Sequence, residues 1–305
     1  MTTESYLRLT ERLSEASLKR HWEAYRDIDW DAPENRIEAG DPRWEASGAW
    51  EPLATTEWYR DQAPELRASI ALRRHLAAMR VGIEFERVLG HGLLEFASRL
   101  PNRHPAFRYV YHEITEEAQH TMMFQEFVNR SGFDPAPAPE HVQMVFDRAA
   151  GITDDHPVLF FLAVLCGEEV FDYVNRQALA APSPHPLLAQ VCRIHITEEA
   201  RHISFARAYM REAVAGMDAR DIRCLRYAVA FVLDWTSTYM FAPAASFLDE
   251  LGVPADVVAA MNAGAQTRTV RRESVAGAAA LCRSLGLVDP RMATVWSRVL
   301  GPAPA

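Results

Sequence analysis

Apolar residues recur along this chain every three or four positions and nowhere alternate with a period of two, so the pattern predicts helices and no sheet. Leu7, Leu9, Leu13, Leu18 and Trp22 give residues 3–27 one apolar side. Residues 64–100 open on Pro64, a helix-start residue, and carry Leu72, Leu76, Met79, Ile83, Gly90, Leu93 and Ala97 in a single stripe. A second long helix is expected over 105–130, stopped by Ser131-Gly132. The third covers 155–180, nearly continuous apolar sequence from Val158 to Val170 as in a fully buried helix, and the fourth 186–215. Prolines at 101 and 105, and again at 182, 184 and 186, leave turns too short for anything but antiparallel neighbours. The Pro-rich stretch 134–140 and a short helix over 140–150 then form the long crossover of a four-helix bundle. Residues 219–250 read as a further long helix kinked near Pro243, and 254–302 as shorter helices closing one end.

Between the first helix and the bundle, residues 28–61 are rich in Trp, Pro, Asp and Gly. Five of the seven tryptophans (Trp22, Trp30, Trp44, Trp50, Trp58) fall in or beside this segment, which is long for a connection and is expected to lie over the bundle, as a packing arm or as a cover for a site.

The chemistry lies in a repeat. Ile114-Thr115-Glu116-Glu117-Ala118-Gln119-His120 returns 82 residues later as Ile196-Thr197-Glu198-Glu199-Ala200-Arg201-His202, six of seven letters unchanged. A Glu followed three residues later by His sets a carboxylate and an imidazole on one helix face, and two such pairs hold two metal ions in a bundle core. Such a centre also needs one carboxylate from each remaining helix. Glu86 and Glu168 stand in register, each 31 residues before its partner Glu117 or Glu199. Glu86 is the lone acid in its apolar stripe, with Glu84 on the opposite side. Glu169 has surroundings as apolar as those of Glu168, so the choice there rests on repeat register. Glu116 and Glu198 are rotated by about 100° from the ligand face and are expected to be solvent-facing or ion-paired. Gly90 and Gly92 mark either close helix packing or space beside a metal, and Asp234, Trp235 and Tyr239 are expected to serve structure.

An unpaired carboxylate among apolar neighbours costs several kcal/mol, and a cation removes that cost. Four carboxylates and two histidines suit iron or manganese better than zinc or calcium. The halves differ at one further place: His195, one turn before Glu199, stands where the first half has Glu113. A third histidine there either makes one metal richer in nitrogen or donates a hydrogen bond that orients a ligand.

Composition narrows the alternatives. With 305 residues, 49% of them hydrophobic, the chain can bury a sizeable core, and the repeat across both halves argues for a single domain: an arm over 1–62, a metal-binding core over 63–250 and a helical cap over 251–305. A net charge of −9 and a pI near 5.7 leave no basic face for nucleic acid or anionic lipid. Cys166, Cys192, Cys224 and Cys282 are too scattered for a zinc knuckle or disulfide framework, which reads as a reduced cytoplasmic protein. Charges through residues 1–20 are unlike a signal peptide, and Asp234 and Pro243 interrupt the most apolar stretch, so no membrane span is expected.

His195-x3-Glu199-x2-His202, with Glu117-x2-His120, Glu86 and Glu168, resembles the p-aminobenzoate N-oxygenase family of di-iron arylamine oxygenases. The resemblance covers roughly residues 63–250, and the Asp-Trp-Asp and Trp-rich N-terminal stretch is similar as well. It implies a ferritin-like four-helix bundle with additional N- and C-terminal helices. It further implies two iron ions (manganese being compatible with the donors) held by Glu86, Glu117, His120, Glu168, His195, Glu199 and His202, with His195 as the extra histidine ligand, and O2 as co-substrate. The expected activity is N-oxygenation of an aromatic amine. A hydroxylase, desaturase or oxidase acting on carbon, and an iron-storage or peroxide-scavenging protein, are the other classes such a centre serves. No Gly-x-Gly-x-x-Gly fingerprint is present, so a ferredoxin or reductase is expected to supply electrons. A homodimer is the default assembly.

Overall fold

The computed structural model describes residues 3–46, 48, 50–153, 155–240 and 242–301. Among these residues there are α-helices and short 3-10 turns but no strand. Helix α1 (Thr3–Lys19) leads into an arm of turns that contains α2 (Arg43–Ala46) and α3 (Glu57–Arg60). Four long helices build the bundle: α4 (Pro64–Ser98), α5 (Pro105–Ser131), α7 (Pro157–Leu179) and α8 (Pro186–Ala215), with α6 (Glu140–Ile152) on the crossover. After them come α9 (Ala219–Tyr239), α10 (Ala245–Glu250), α11 (Ala255–Ala263), α12 (Ala265–Glu273), α13 (Ala276–Ser284) and α14 (Ala293–Leu300).

Every long bundle helix begins on a proline, whose missing N–H costs nothing in the first turn. Helix α5 ends on Gly132 at φ 72°, the left-handed cap that a glycine takes without a Cβ penalty. Tight turns make two antiparallel hairpins, α4 with α5 and α7 with α8, while α1 lies along α5 and α8, and α9 along α7.

Two apolar clusters fill the bundle. One gathers Leu72, Leu76, Phe124, Phe127, Leu188 and Val191; the other gathers Leu89, Leu93, Val110, Phe161, Leu165 and Phe205. On α5 and α8 the acids and histidines of the repeat lie between these clusters, and Glu86 and Glu168 enter from α4 and α7 among residues of the second cluster, so a polar layer crosses the core.

Two expectations need correction. Helix α1 stops at Lys19 rather than near 27, because the backbone N–H groups of Trp22 and Ala24 leave the helical ladder and bond Glu198 (3.2 Å) and Gln119 (2.8 Å). Pro243 does not kink a long helix. It separates two, α9 ending at Tyr239 and α10 starting at Ala245, as expected of a residue that cannot donate and that disfavours helical backbone before it. The arm itself packs tightly: Trp44 and Trp50 are fully buried, and Trp44 stacks on His185 at 4.1 Å between ring centroids. Gly92 is close-packed, a Cβ there colliding with Phe160, while Gly90 has open space beside it. Asp234 pairs with Arg298 at 2.7 Å, away from the polar layer. No described helix is long and apolar enough to cross a membrane.

Candidate metal centre

Glu86 from α4, Glu117 and His120 from α5, Glu168 from α7, and His195, Glu199 and His202 from α8 converge in the polar layer, each 2% exposed or less. Their donor atoms form overlapping triads, each within 4.8 Å, among them Glu86–His120–His195, Glu117–His120–Glu199 and Glu168–His195–Glu199. Of the two neighbours, Glu168 enters the layer, whereas Glu169 turns away to Arg207 and to the backbone N–H of Ala278. Glu84 pairs with Arg80 outside it.

Glu117 and Glu199 occupy the middle. His120 Nδ1 lies 2.9 Å from Glu117 and 3.2 Å from Glu199, and His202 Nδ1 lies 2.8 Å and 3.1 Å from the same two carboxylates. Each central glutamate thus faces both imidazoles, as a carboxylate bridging two ions must. His195 enters with the other nitrogen: its Nε2 is 3.5 Å from Glu86 and 3.8 Å from Glu199, and its Nδ1 is 3.1 Å from the Asn175 side-chain amide.

Glu116 and Glu198 are buried, not solvent-facing. Each crosses to the histidine of the other half, Glu198 to His120 Nε2 at 2.9 Å and Glu116 to His202 Nε2 at 2.8 Å. Arg201 lies between the two acids, 2.8 Å from Glu116 and 3.5 Å from Glu198. A carboxylate on Nε2 fixes the tautomer, leaves Nδ1 as the free donor towards the centre and makes the ring a better ligand. The ion-pair half of the sequence expectation holds. The orienting role was missed, and its signal was the doubled Glu-Glu: a surface acid has no reason to recur in both copies.

The electrostatics show how little protein charge is available to balance these acids. Burial, reinforced by Glu117, pushes the Glu86 carboxyl well above its ordinary range, and burial with Glu199 does the same to Glu168. Neither oxygen of either group has a hydrogen-bond partner. For Glu117 burial also pushes up, but His202 and His120 outweigh it and hold the carboxyl down to about 2; Glu199 is held low in the same way. Against the pull of burial, the surrounding carboxylates raise His120 and His202 well above the usual histidine range. Burial holds His195 down to about 4, leaving a neutral imidazole whose Nε2 is unpartnered. Orphaned oxygens beside an orphaned nitrogen, all aimed into one layer, fit divalent cations of the iron and manganese type.

A cavity of about 230 Å3 has walls that include Ala77, Ala78, Val81, Phe146, Trp235 and Tyr239 and none of the seven residues of the layer. A chain of ring contacts links it to the layer, from Phe146 to Phe85 at 6.4 Å, Phe85 to Phe171 at 6.3 Å and Phe171 to the His195 ring at 6.1 Å. Phe85 lies over Gly167, the residue before Glu168, where a Cβ would collide with its ring.

An antiparallel bundle with a carboxylate–histidine layer of this composition defines the class of carboxylate-bridged two-metal proteins. The family model of p-aminobenzoate N-oxygenase AurF matches residues 3–286, and the chain belongs to that ferritin-like family of di-iron oxygenases. An uncharacterized protein of Mycobacterium tuberculosis (strain CDC 1551 / Oshkosh) is 35% identical over 297 residues, covering 95% of this chain and 86% of its own. Uncharacterized proteins of Mycobacterium bovis (strain ATCC BAA-935 / AF2122/97) and of Mycobacterium tuberculosis (strain ATCC 25618 / H37Rv) match to the same extent.

Proposed function

We propose that this chain is an O2-dependent N-oxygenase that holds two iron ions with Glu86, Glu117, His120, Glu168, His195, Glu199 and His202 and oxidises a small aromatic amine. The observation that carries the reading is a nitrogen-enriched carboxylate layer, with an apolar, partly aromatic cavity linked to it through Phe146, Phe85 and Phe171. When bound, the irons supply the redox chemistry that dioxygen requires.

The protein's own residues do the rest. Glu117 and Glu199, which face both imidazoles, would be shared between the two ions, Glu86 and Glu168 would each serve one, and His120, His202 and His195 would supply the nitrogen donors. Glu198 and Glu116 each accept a proton-bearing Nε2 and keep the imidazole pointed inward. Phe85, Phe146 and Phe171 exclude water between cavity and metals, which strengthens every charge interaction inside.

The cavity also bears on the substrate. Arg74, the sole guanidinium among its described lining residues, is matched by buried Glu51 at 2.5 Å. A substrate carboxylate would have to break that pair, so uncharged aryl amines are favoured over aminobenzoates. Electrons come from a separate ferredoxin or reductase, and the assembly is a homodimer in the reducing cytoplasm.

Iron-loaded protein, a chemical or enzymatic reductant and O2 should convert an uncharged aryl amine to its hydroxylamine, nitroso or nitro product by mass spectrometry, faster than an aminobenzoate. Phe85→Ala should widen the range of amines accepted. Oxidation at carbon with nitrogen untouched would overturn the reaction assigned. Iron uptake into a large hollow shell without amine turnover would place the chain among storage proteins instead.

A further inference from the structure

Glu113 is 0% exposed, on α5 one turn before Glu117, and its carboxylate oxygens make no well-formed hydrogen bond, the Tyr109 phenol being the nearby donor. One of them lies within 4.8 Å of donor atoms of both Glu117 and His202. Two ligands about 2.1 Å from one ion stand at most about 4.2 Å apart, so a small adjustment would let all three share it. The groups facing Glu113 are His202, Glu117, Glu199 and the phenols of Tyr109 and Tyr6, with Phe205 packed at a tilt against both tyrosines. His202 is the one cation among them, and it is already turned to Glu117, Glu199 and Glu116.

We propose that Glu113 is a fifth carboxylate of the metal centre, a ligand to the ion on the His202 side. This rests on the di-iron reading and adds to it. The repeat supplies the reason: the scaffold presents a side chain one turn before each bridging glutamate, and that side chain is His195 in one half and Glu113 in the other. One ion is therefore bound by His120 and His195, and the other by His202 and an additional oxygen donor. Hard oxygen donors favour the higher-valent ion, so the two irons are inequivalent by construction, and the oxygen-rich one is the easier to oxidise.

The alternative is a buried acid that only fills space. Replacing such a group with an isostere or an apolar residue would be neutral or stabilising whether or not metal is bound. Glu113→Gln and Glu113→Leu separate the two roles. Metal-free Glu113→Leu should melt at or above the wild type, since an orphaned carboxylate is gone, and this shows that the variant folds. The gain in melting temperature on adding ferrous iron should shrink in both variants, and the weaker of the two iron sites should lose about tenfold or more in affinity. Iron-57 Mössbauer spectra should show two doublets in the wild type, with one displaced in Glu113→Gln and the other unmoved. Two irons held with unchanged affinity and unchanged doublets in both variants would overturn the role of Glu113 while leaving the di-iron reading intact. Wild-type protein that binds no iron pair would overturn both.

Discussion

The two halves of the bundle carry nearly the same seven residues and use them differently. Glu117 and Glu199 face both histidines alike, and Glu116 and Glu198 reach across to the opposite imidazole alike. The one letter that differs within the motif is Gln119 against Arg201. Arg201 is buried between Glu116 and Glu198 and serves both acids, whereas Gln119 accepts from the backbone N–H of Ala24 and fastens the arm. Symmetry builds the cradle for two ions, and the departures from symmetry set how each half is neutralised, covered and completed.

Breaking the shared part should have the largest effect. Glu117→Ala combined with Glu199→Ala removes the two carboxylates that face both histidines, and metal analysis should find neither ion retained, with oxygenase activity lost. Arg201→Ala comes next. It leaves two buried carboxylates without their guanidinium, and chemical denaturation should show a loss of about 3–5 kcal/mol. Glu198→Gln and Glu116→Gln keep the shape but weaken the grip on His120 and His202, so metal affinity should fall by about 10–100-fold in each, measured by competition with a chelator. The smallest effect belongs to Gln119→Ala, where one hydrogen bond to the arm is lost at about 1 kcal/mol. If Gln119→Ala proved as damaging as Arg201→Ala, the division of labour between the halves would be wrong.

Much of this was legible in the chain before any coordinates. The long bundle helices were readable because prolines start them and short turns separate them, and Glu86 stood out as the one acid in an apolar stripe. Glu168 was separable from Glu169 only through the register of the repeat, since both have apolar neighbours and a helix face alone does not say which neighbour is a second helix and which is Arg207. The solvent-facing alternative for Glu116 and Glu198 fails for a related reason. A rotation of about 100° from the ligand face leads to solvent on an isolated helix, but between α5 and α8 it leads to the other helix. The end of α1 depended on Glu198 and Gln119, acceptors far away in sequence, and the cavity assembles residues from α4, the crossover, α6 and α9 that no local pattern connects.

The comparison also sharpens with pH. In the metal-free fold His120, His202, Glu86 and Glu168 all hold protons above their ordinary values of 6.5 and 4.5. Each binds its proton more tightly folded than unfolded, so each contributes stability below its unfolded value that is lost as pH rises through its folded one. Glu117 and Glu199 act in the opposite sense, their contribution being complete above 4.5 and lost as pH falls through their lower folded values. Metal binding must displace the retained protons, so iron affinity should rise as pH increases above 6.5, with proton release seen by calorimetry in buffers of different ionisation enthalpy. Affinity that falls over that range would contradict the protonation pattern.

Whether one layer of this bundle binds two irons is decided by the metal content of protein loaded anaerobically with ferrous iron, beside the variant lacking both Glu117 and Glu199 carboxylates. About two irons per chain in the wild type and almost none in the variant is the expected result. A single zinc, no metal, or two irons held equally well by the variant would contradict the claim.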